Sequence, residues 1–280
     1  MSIRIVADST CDLSKDVIEK YNITIIPLSI IMGDESHYDG EDITPEDIFA
    51  WADANKTTPK TSAVSQERTE EILAPMMEAG DDIIFFGISG LMSSTCNVAQ
   101  MVGRDYNRLH VIDSMNLSTG IGLQVLRAAE YAQSGVPATV IARRIEDARA
   151  DVRASFVIDT LTYLARGGRC SSVTALLANT LKLHPVIAVA DGKMDVAKKL
   201  RGTIGHAIMN YVKGMEEDLK KADPTRVFIT HSGCSPEIVS EVRTYLQGLK
   251  HFDEILETRA GGVISSHCGP NTLGVLYYSK

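Results

Sequence analysis

Long apolar runs, clustered cysteines and an excess of positive charge are all missing from this sequence, and each absence removes a class of protein. No apolar run reaches the roughly 18 residues of a membrane-spanning helix. The longest, Ile23 to Met32, is interrupted by Thr24, Pro27 and Ser29, so no stable membrane insertion is expected. The five cysteines, Cys11, Cys96, Cys170, Cys234 and Cys268, are odd in number and far apart. Zinc-type spacing is therefore absent, and reduced thiols in a cytoplasmic protein are expected. The seven histidines form no HxxxH pair, so neither metal nor cofactor is expected. Lys and Arg number 28 against 36 Asp and Glu, a net charge of −8; a nucleic-acid partner, which demands a cationic face, is not expected. Arg4 and Asp8 fall within the first strand-like run, which argues against a signal peptide. There is no GxxxxGK[ST] loop and no GxSxG elbow, and Gly120-Ile121-Gly122 lacks the third glycine of a dinucleotide fingerprint. Tight packing at a helix start accounts for it better.

What is present is a chain of 280 residues, 44% hydrophobic and 23% charged, long enough for about two domains at roughly 150 residues each. The charge is unevenly divided. Residues 1–150 carry 12 Lys and Arg against 23 Asp and Glu, a net of −11, and residues 151–280 carry 16 against 13, a net of +3. Two lobes of different electrostatic character, 1–150 and 151–280, are expected, with a ligand or partner near their seam.

Ile3 to Asp8 alternates like a strand, Ser14 caps a short helix, and Ile23 to Met32 reads as one buried strand. Thr44-Pro45-Glu46-Asp47 starts a helix with a capping hydroxyl, a first-position proline and acids at the positive end of the dipole. Further helices are expected at Glu67–Ala79, from Ser93 or Ser94, at Leu123–Gln133 and at Ala138–Asp151; strands are expected at Asp82–Ser89 and Leu109–Asp113. This alternation predicts an α/β fold, its N-terminal lobe a mainly parallel sheet flanked by helices. The polar strand ends Asp8-Ser9-Thr10, Ser89-Gly90 and Asp113-Ser114 then share one edge, where ligands of such sheets gather. The second half reads as an α+β lobe: a helix over Ser171–Leu183, a hairpin turning at Asp191-Gly192, a long helix over Ile204–Ala222, a helix over Pro236–Leu249, and two last strands around a Gly-rich loop.

The candidate chemistry is a set of hydroxyls in loops. Thr61-Ser62-Ala63-Val64-Ser65 precedes one helix and Ser93-Ser94-Thr95 opens another. Each is explicable as a helix cap, but several together can bind a small anion. Ser265-Ser266-His267-Cys268-Gly269-Pro270 places a histidine in a Gly/Pro loop, and Arg166-Gly167-Gly168-Arg169 reads as a helix end with cations on it.

In this order the segments are recognisable. Asp8-Ser9-Thr10-Cys11-Asp12-Leu13 resembles the DSTxDL opening of the DegV family, bacterial fatty-acid-binding proteins. Thr61-Ser62 with Ser65 is similar to its TSQPS segment, with Ala63-Val64 in place of Gln-Pro. Met92-Ser93-Ser94-Thr95-Cys96 resembles LSGTY. Val111-Ile112-Asp113-Ser114 with Ser118 and Gly120-Ile121-Gly122 resembles VxDS…SxGxG. Thr160-Leu161 through Arg169 resembles TLxYLxKGGR, and Leu183-His184-Pro185-Val186-Ile187 with Asp191-Gly192 resembles LKPIL…DG. Thr230-His231-Ser232-Gly233 and Ser266 to Asn271, with Asn where the family usually has Gly, complete a resemblance spanning 3–279. It implies a two-lobed binder that holds one long-chain fatty acid in an apolar tunnel and performs no chemistry itself. Its carboxylate is presented to a fatty acid kinase, whose acyl phosphate feeds phospholipid synthesis. By position, Thr61, Ser93 and His267 would hold the carboxylate. Ser62, Ser94, Thr95 and Ser114 would lie in the head-group region, and Arg169 at the rim or facing the partner. The competing readings are a lipid hydrolase or acyltransferase using Ser93 with His267, and a small-anion or nucleotide binder on the same edge.

Overall fold

A computed structural model of the chain describes residues 2–174 and 183–280. The chain opens with β1 (Ile3–Asp8) and β2 (Thr24–Ile26), passes through β3 (Ser29–Met32), β4 (Glu35–Tyr38) and β5 (Lys60–Ser62), and continues with β6 (Asp82–Gly87) and β7 (Leu109–Asp113). Strands β1, β2, β6 and β7 form a parallel sheet in the order β2-β1-β6-β7, and β3, β4 and β5 form a separate antiparallel one, β4-β3-β5. The second half adds β8 (Val152–Val157), β9 (Leu183–Ala190), β10 (Lys193–Arg201), β11 (Arg226–Ser232), β12 (Glu254–Arg259) and β13 (Thr272–Tyr278). These make a mixed six-stranded sheet, β10-β9-β8-β13-β11-β12. The architecture is α/β.

The parallel sheet reads as runs of Ile, Val and Phe because both its faces are covered. The helix Thr119–Gln133 buries ten of its residues and packs on β1, β8 and β13, so one hydrophobic core joins Ile5 and Phe86 to Phe156, Phe228 and Leu276. Gly120 and Gly122 sit in its first turn, with Asn116 and Leu13 filling the space that side chains would take. They are packing residues.

Several elements differ from the sequence reading. Ile23 to Met32 is two strands in two sheets, because Pro27 has no N–H to donate and the chain leaves the parallel sheet there. The long helix over Ile204–Ala222 ends at Lys213; Gly214 caps it, and only Glu216–Leu219 is helical beyond. The helix read over Ser171–Leu183 is helical at Ser171–Thr174, its continuation over 175–182 lies outside the described residues, and Leu183 already opens β9. The Gly-rich segment between the last strands holds a helix, Gly262–Cys268. Strands β4 and β5, short and polar, had no sequence signal. The hairpin turn is as expected: Asp191 and Gly192 both have positive φ, 49° and 75°, as a type I′ turn requires.

Candidate functional site

The carboxyl edge of the parallel sheet builds one wall of the site. Asp8 ends β1 and accepts from the Ile88 amide at 2.8 Å, which fixes the chain leaving β6. That chain folds back on itself: the amides of Met92 and Ser93 both donate to the Ser89 carbonyl. Ser93 is thereby turned toward a cavity, and its hydroxyl shares a hydrogen bond with Thr95 at 3.0 Å. The opposite wall comes from β5, which carries Thr61 and Ser62, and from the helix Gly262–Cys268. The sequence placed His267 in a loop; it sits near the end of that helix, and its Nε2 lies 2.7 Å from Thr61 Oγ1. Thr61 and Ser62 likewise belong to a strand, not to a loop. Polar residues at a sheet margin and loop residues have the same composition, so sequence does not separate them.

The cavity encloses about 510 Å³ of empty space, its open mouth included. Thr61, Ser62, Ser93, His267 and Arg169 all line it, beside apolar Leu28, Ile88, Met92, Leu117, Val263 and Ile264. The structure thus brings five of the eight candidate residues to one cavity. The other three lie elsewhere. Ser94 is the exposed N-cap of the helix Thr95–Val102, and Thr95 is buried behind Ser93. The Ser114 hydroxyl is spent within its own turn, accepting from the Asn116 amide at 3.2 Å and facing that residue's carbonyl at 3.3 Å. A second cavity, of about 340 Å³, lies between Leu117, Phe156, Ala260, Leu276 and the ends of β11 and β13. Leu117, Ile264 and Cys268 line both. Among the described residues, these three are the walls that the two cavities share. Neither they nor Leu28 announce themselves in the sequence, because a lining leucine looks like a core leucine.

His267 is a neutral imidazole in this setting. Burial, and then the positive charge of Arg169, push its pKa down to about 4. Its Nδ1 is buried and has no hydrogen-bond partner among the described residues. Gly167 makes this placement possible: a methyl group there would stand 2.2 Å from Nδ1. Arg169 is itself exposed, and its Nη1 donates to the Gly167 carbonyl at 2.7 Å. The chain turns away at Gly168, whose φ of 68° ends the helix Leu161–Gly167 in the left-handed region. Ser93 and His267 share no hydrogen bond: Ser93 pairs with Thr95 and His267 with Thr61. Neither link of a nucleophile–base–acid relay is formed. Among the described residues no group of three or more His, Cys, Asp or Glu is placed to hold a metal ion.

Fold and site together define an α/β protein with two mostly apolar cavities that share walls, one of them carrying hydroxyls and a neutral imidazole. A family model described as "Uncharacterised protein, DegV family" matches residues 2–280, and the chain belongs to the DegV family. A DegV domain-containing protein of Clostridium perfringens is 31% identical over 285 residues, covering 99% of each chain. Among solved structures, a DegV family protein of Thermus thermophilus described for its fatty acid binding is similar at a TM-score of 0.92, with 30% identity and full coverage of both chains. A stearic acid-binding protein of Eubacterium ventriosum is similar at a TM-score of 0.86, with 28% identity over 100% of this chain and 99% of that one.

Proposed function

We propose that this protein binds one long-chain fatty acid, with the carboxylate at Thr61 and Ser93 and the tail running past Leu117, Ile264 and Cys268 into the second cavity. The observation that carries this reading is that two cavities share the apolar walls Leu117, Ile264 and Cys268, and that one of them brings Thr61, Ser93 and His267 together. Each buried methylene contributes roughly 0.8 kcal/mol, so the tail supplies most of the affinity and the head group supplies selection. A carboxylate removed from water must be hydrogen-bonded. Hydroxyls meet that need without locking the anion into an ion pair with a charged histidine. The oxygens stay available at the mouth, where exposed Arg169 stands. The protein is accordingly a carrier rather than an enzyme. It presents the carboxylate to a cytoplasmic fatty acid kinase that forms the acyl phosphate, and the two lobes, 1–150 and 151–280, enclose the ligand between them.

The test is to denature the purified protein and analyse the organic extract by mass spectrometry. A stoichiometric fatty acid is the expected result. An empty extract, together with no uptake of a labelled fatty acid, overturns the reading. Hydrolysis of a short ester that is lost in Ser93→Ala would replace it with an enzymatic one.

A further inference from the structure

Two buried carboxylates lie side by side behind the site, and neither touches the cavity that holds Thr61 and His267. Asp12 follows the turn Ser9–Cys11 in a left-handed conformation, φ 51°. Its Oδ1 accepts from the Gly261 amide at 2.8 Å and its Oδ2 from Ser118 Oγ at 2.5 Å. Asp39 follows β4; its Oδ1 accepts from the Gly262 amide at 2.7 Å and its Oδ2 from Ser9 Oγ at 2.8 Å. A side chain on Gly261 would meet Asp12 at 3.1 Å and Asp39 at 3.3 Å, so both carboxylates converge on one point of the backbone. That point is the start of the helix Gly262–Cys268, which ends in His267 and Cys268.

The arrangement is costly. Neither acid has an ion-pair partner among the described residues; burial raises the pKa of both, and the neighbouring Asp39 raises that of Asp12 further. Apolar side chains of similar volume would fill the space at lower cost. What apolar side chains cannot do is hold two particular amides. A helix of seven residues has almost no stability of its own, so its position is set by what grips its ends. At the far end the grip is His267 on Thr61, beside Gly167. At the near end it is this pair, whose oxygens accept from the amides of Gly261 and Gly262.

We infer that Asp12 and Asp39 are positioning residues: they clamp the first turn of the Gly262–Cys268 helix so that His267 reaches Thr61, and carboxylate selection at the cavity depends on the clamp. The inference rests on the head-group reading above.

The experiment compares affinity for a sixteen-carbon fatty acid with affinity for the fatty alcohol of the same length, and records the ring nitrogen signals of His267 by NMR in ligand-free protein. Asp39→Ala bares the Gly262 amide. It is expected to lower the acid-to-alcohol preference roughly tenfold, the scale of one lost hydrogen bond to an anion, and to move the His267 ring signals. Alcohol binding stays within about twofold, since methylene burial is untouched. Asp39→Asn keeps an acceptor for that amide and should restore both. If Asp39→Ala does not fold, Ser9→Ala takes its place, cutting only one bond of Asp39; a smaller fall, about threefold, and a smaller ring shift are then expected. A wild-type preference with unmoved ring signals in the folded variant overturns the clamp. A wild-type protein that binds acid and alcohol equally overturns the head-group reading instead, while the ring signals still test the clamp.

Discussion

The hydroxyl of Thr61 lies 2.7 Å from Nε2 of His267, although 206 residues separate the two in sequence. Strand β5 brings one and a seven-residue helix the other. With the ring buried and the positive charge of Arg169 acting on it, the imidazole is uncharged. A ring that donates its Nε2–H to Thr61 leaves the threonine proton free to point at a ligand. The histidine then works through the threonine, as a donor behind a donor.

From this follows the effect of removing the hydroxyls. Thr61→Ala with Ser93→Ala should weaken fatty-acid binding on the order of 100-fold, at roughly tenfold for each hydrogen bond to an anion. Titration with a labelled fatty acid measures it. Unchanged affinity in the folded double variant would remove both residues from the head-group role.

Thr61, Ser93 and His267 were legible in the sequence as members of spaced segments, but their neighbours were not. Asp39 sits between a tyrosine and a glycine and looks like any turn acid; its meaning comes from the Gly262 amide, 223 residues away. Strand alternation gave the parallel sheet because Ile, Val and Phe there are buried on both faces. The split at Pro27 and the polar strands β4 and β5 depend on pairing partners that no local pattern names. The helix under His267 was hidden for a related reason. Seven residues of Gly, Ser, Val, Ile, His and Cys carry little helical preference, and tertiary contacts at both ends make the helix.

The buried histidine also predicts a slope of stability against pH. The imidazole titrates near 4 in the folded protein and near 6.5 in the unfolded chain, so on acidification the unfolded chain takes up the proton first. The stability this group supports is complete above about pH 6.5 and is lost as the pH falls toward 4. Asp8, raised by burial to about 6, acts with the opposite sign, so the wild type alone does not isolate the histidine. The difference between wild type and His267→Gln does. In urea unfolding, that difference should shift against the wild type by about 2 kcal/mol between pH 7 and pH 4.5. A pH-independent difference would mean that the ring is not held neutral in the folded state.

Gly167 is a second point of sensitivity. A methyl group there overlaps His267 Nδ1, and the ring must move away from Thr61. Gly167→Ala is expected to destabilise the protein by about 1–3 kcal/mol, the usual cost of overpacking. It should also reduce fatty-acid affinity while sparing the alcohol of equal length. Equal loss for both ligands would show that the substitution only loosens the fold.

A substitution at Arg169 tests whether binding and presentation are separable. Its guanidinium is exposed at the mouth and, among the described residues, bonds the Gly167 carbonyl. Arg169→Ala should change fatty-acid affinity less than threefold, below about 1 kcal/mol, and let the His267 titration move up once the nearby positive charge is gone. Acyl-phosphate formation with a cognate kinase should fall sharply. A normal rate in that assay would take Arg169 out of the partner-facing role.

If the tail passes from one cavity to the other, the walls they share set chain length. Leu117 lines both, is itself buried, and stands opposite Ile264 and Cys268 on the helix that carries His267. Leu117→Phe fills the passage, so methylenes that passed it must fold back or stay outside. Each one left in water costs roughly 0.8 kcal/mol, about fourfold in affinity. The preferred chain should shorten in steps of that size, and Leu117→Ala should widen the tolerated range toward longer or bent chains. Competition with a ladder of saturated fatty acids reads the shift directly. An identical chain-length profile in wild type and both variants would mean that the tail does not enter the second cavity, and the ligand would then have to lie wholly within the outer one.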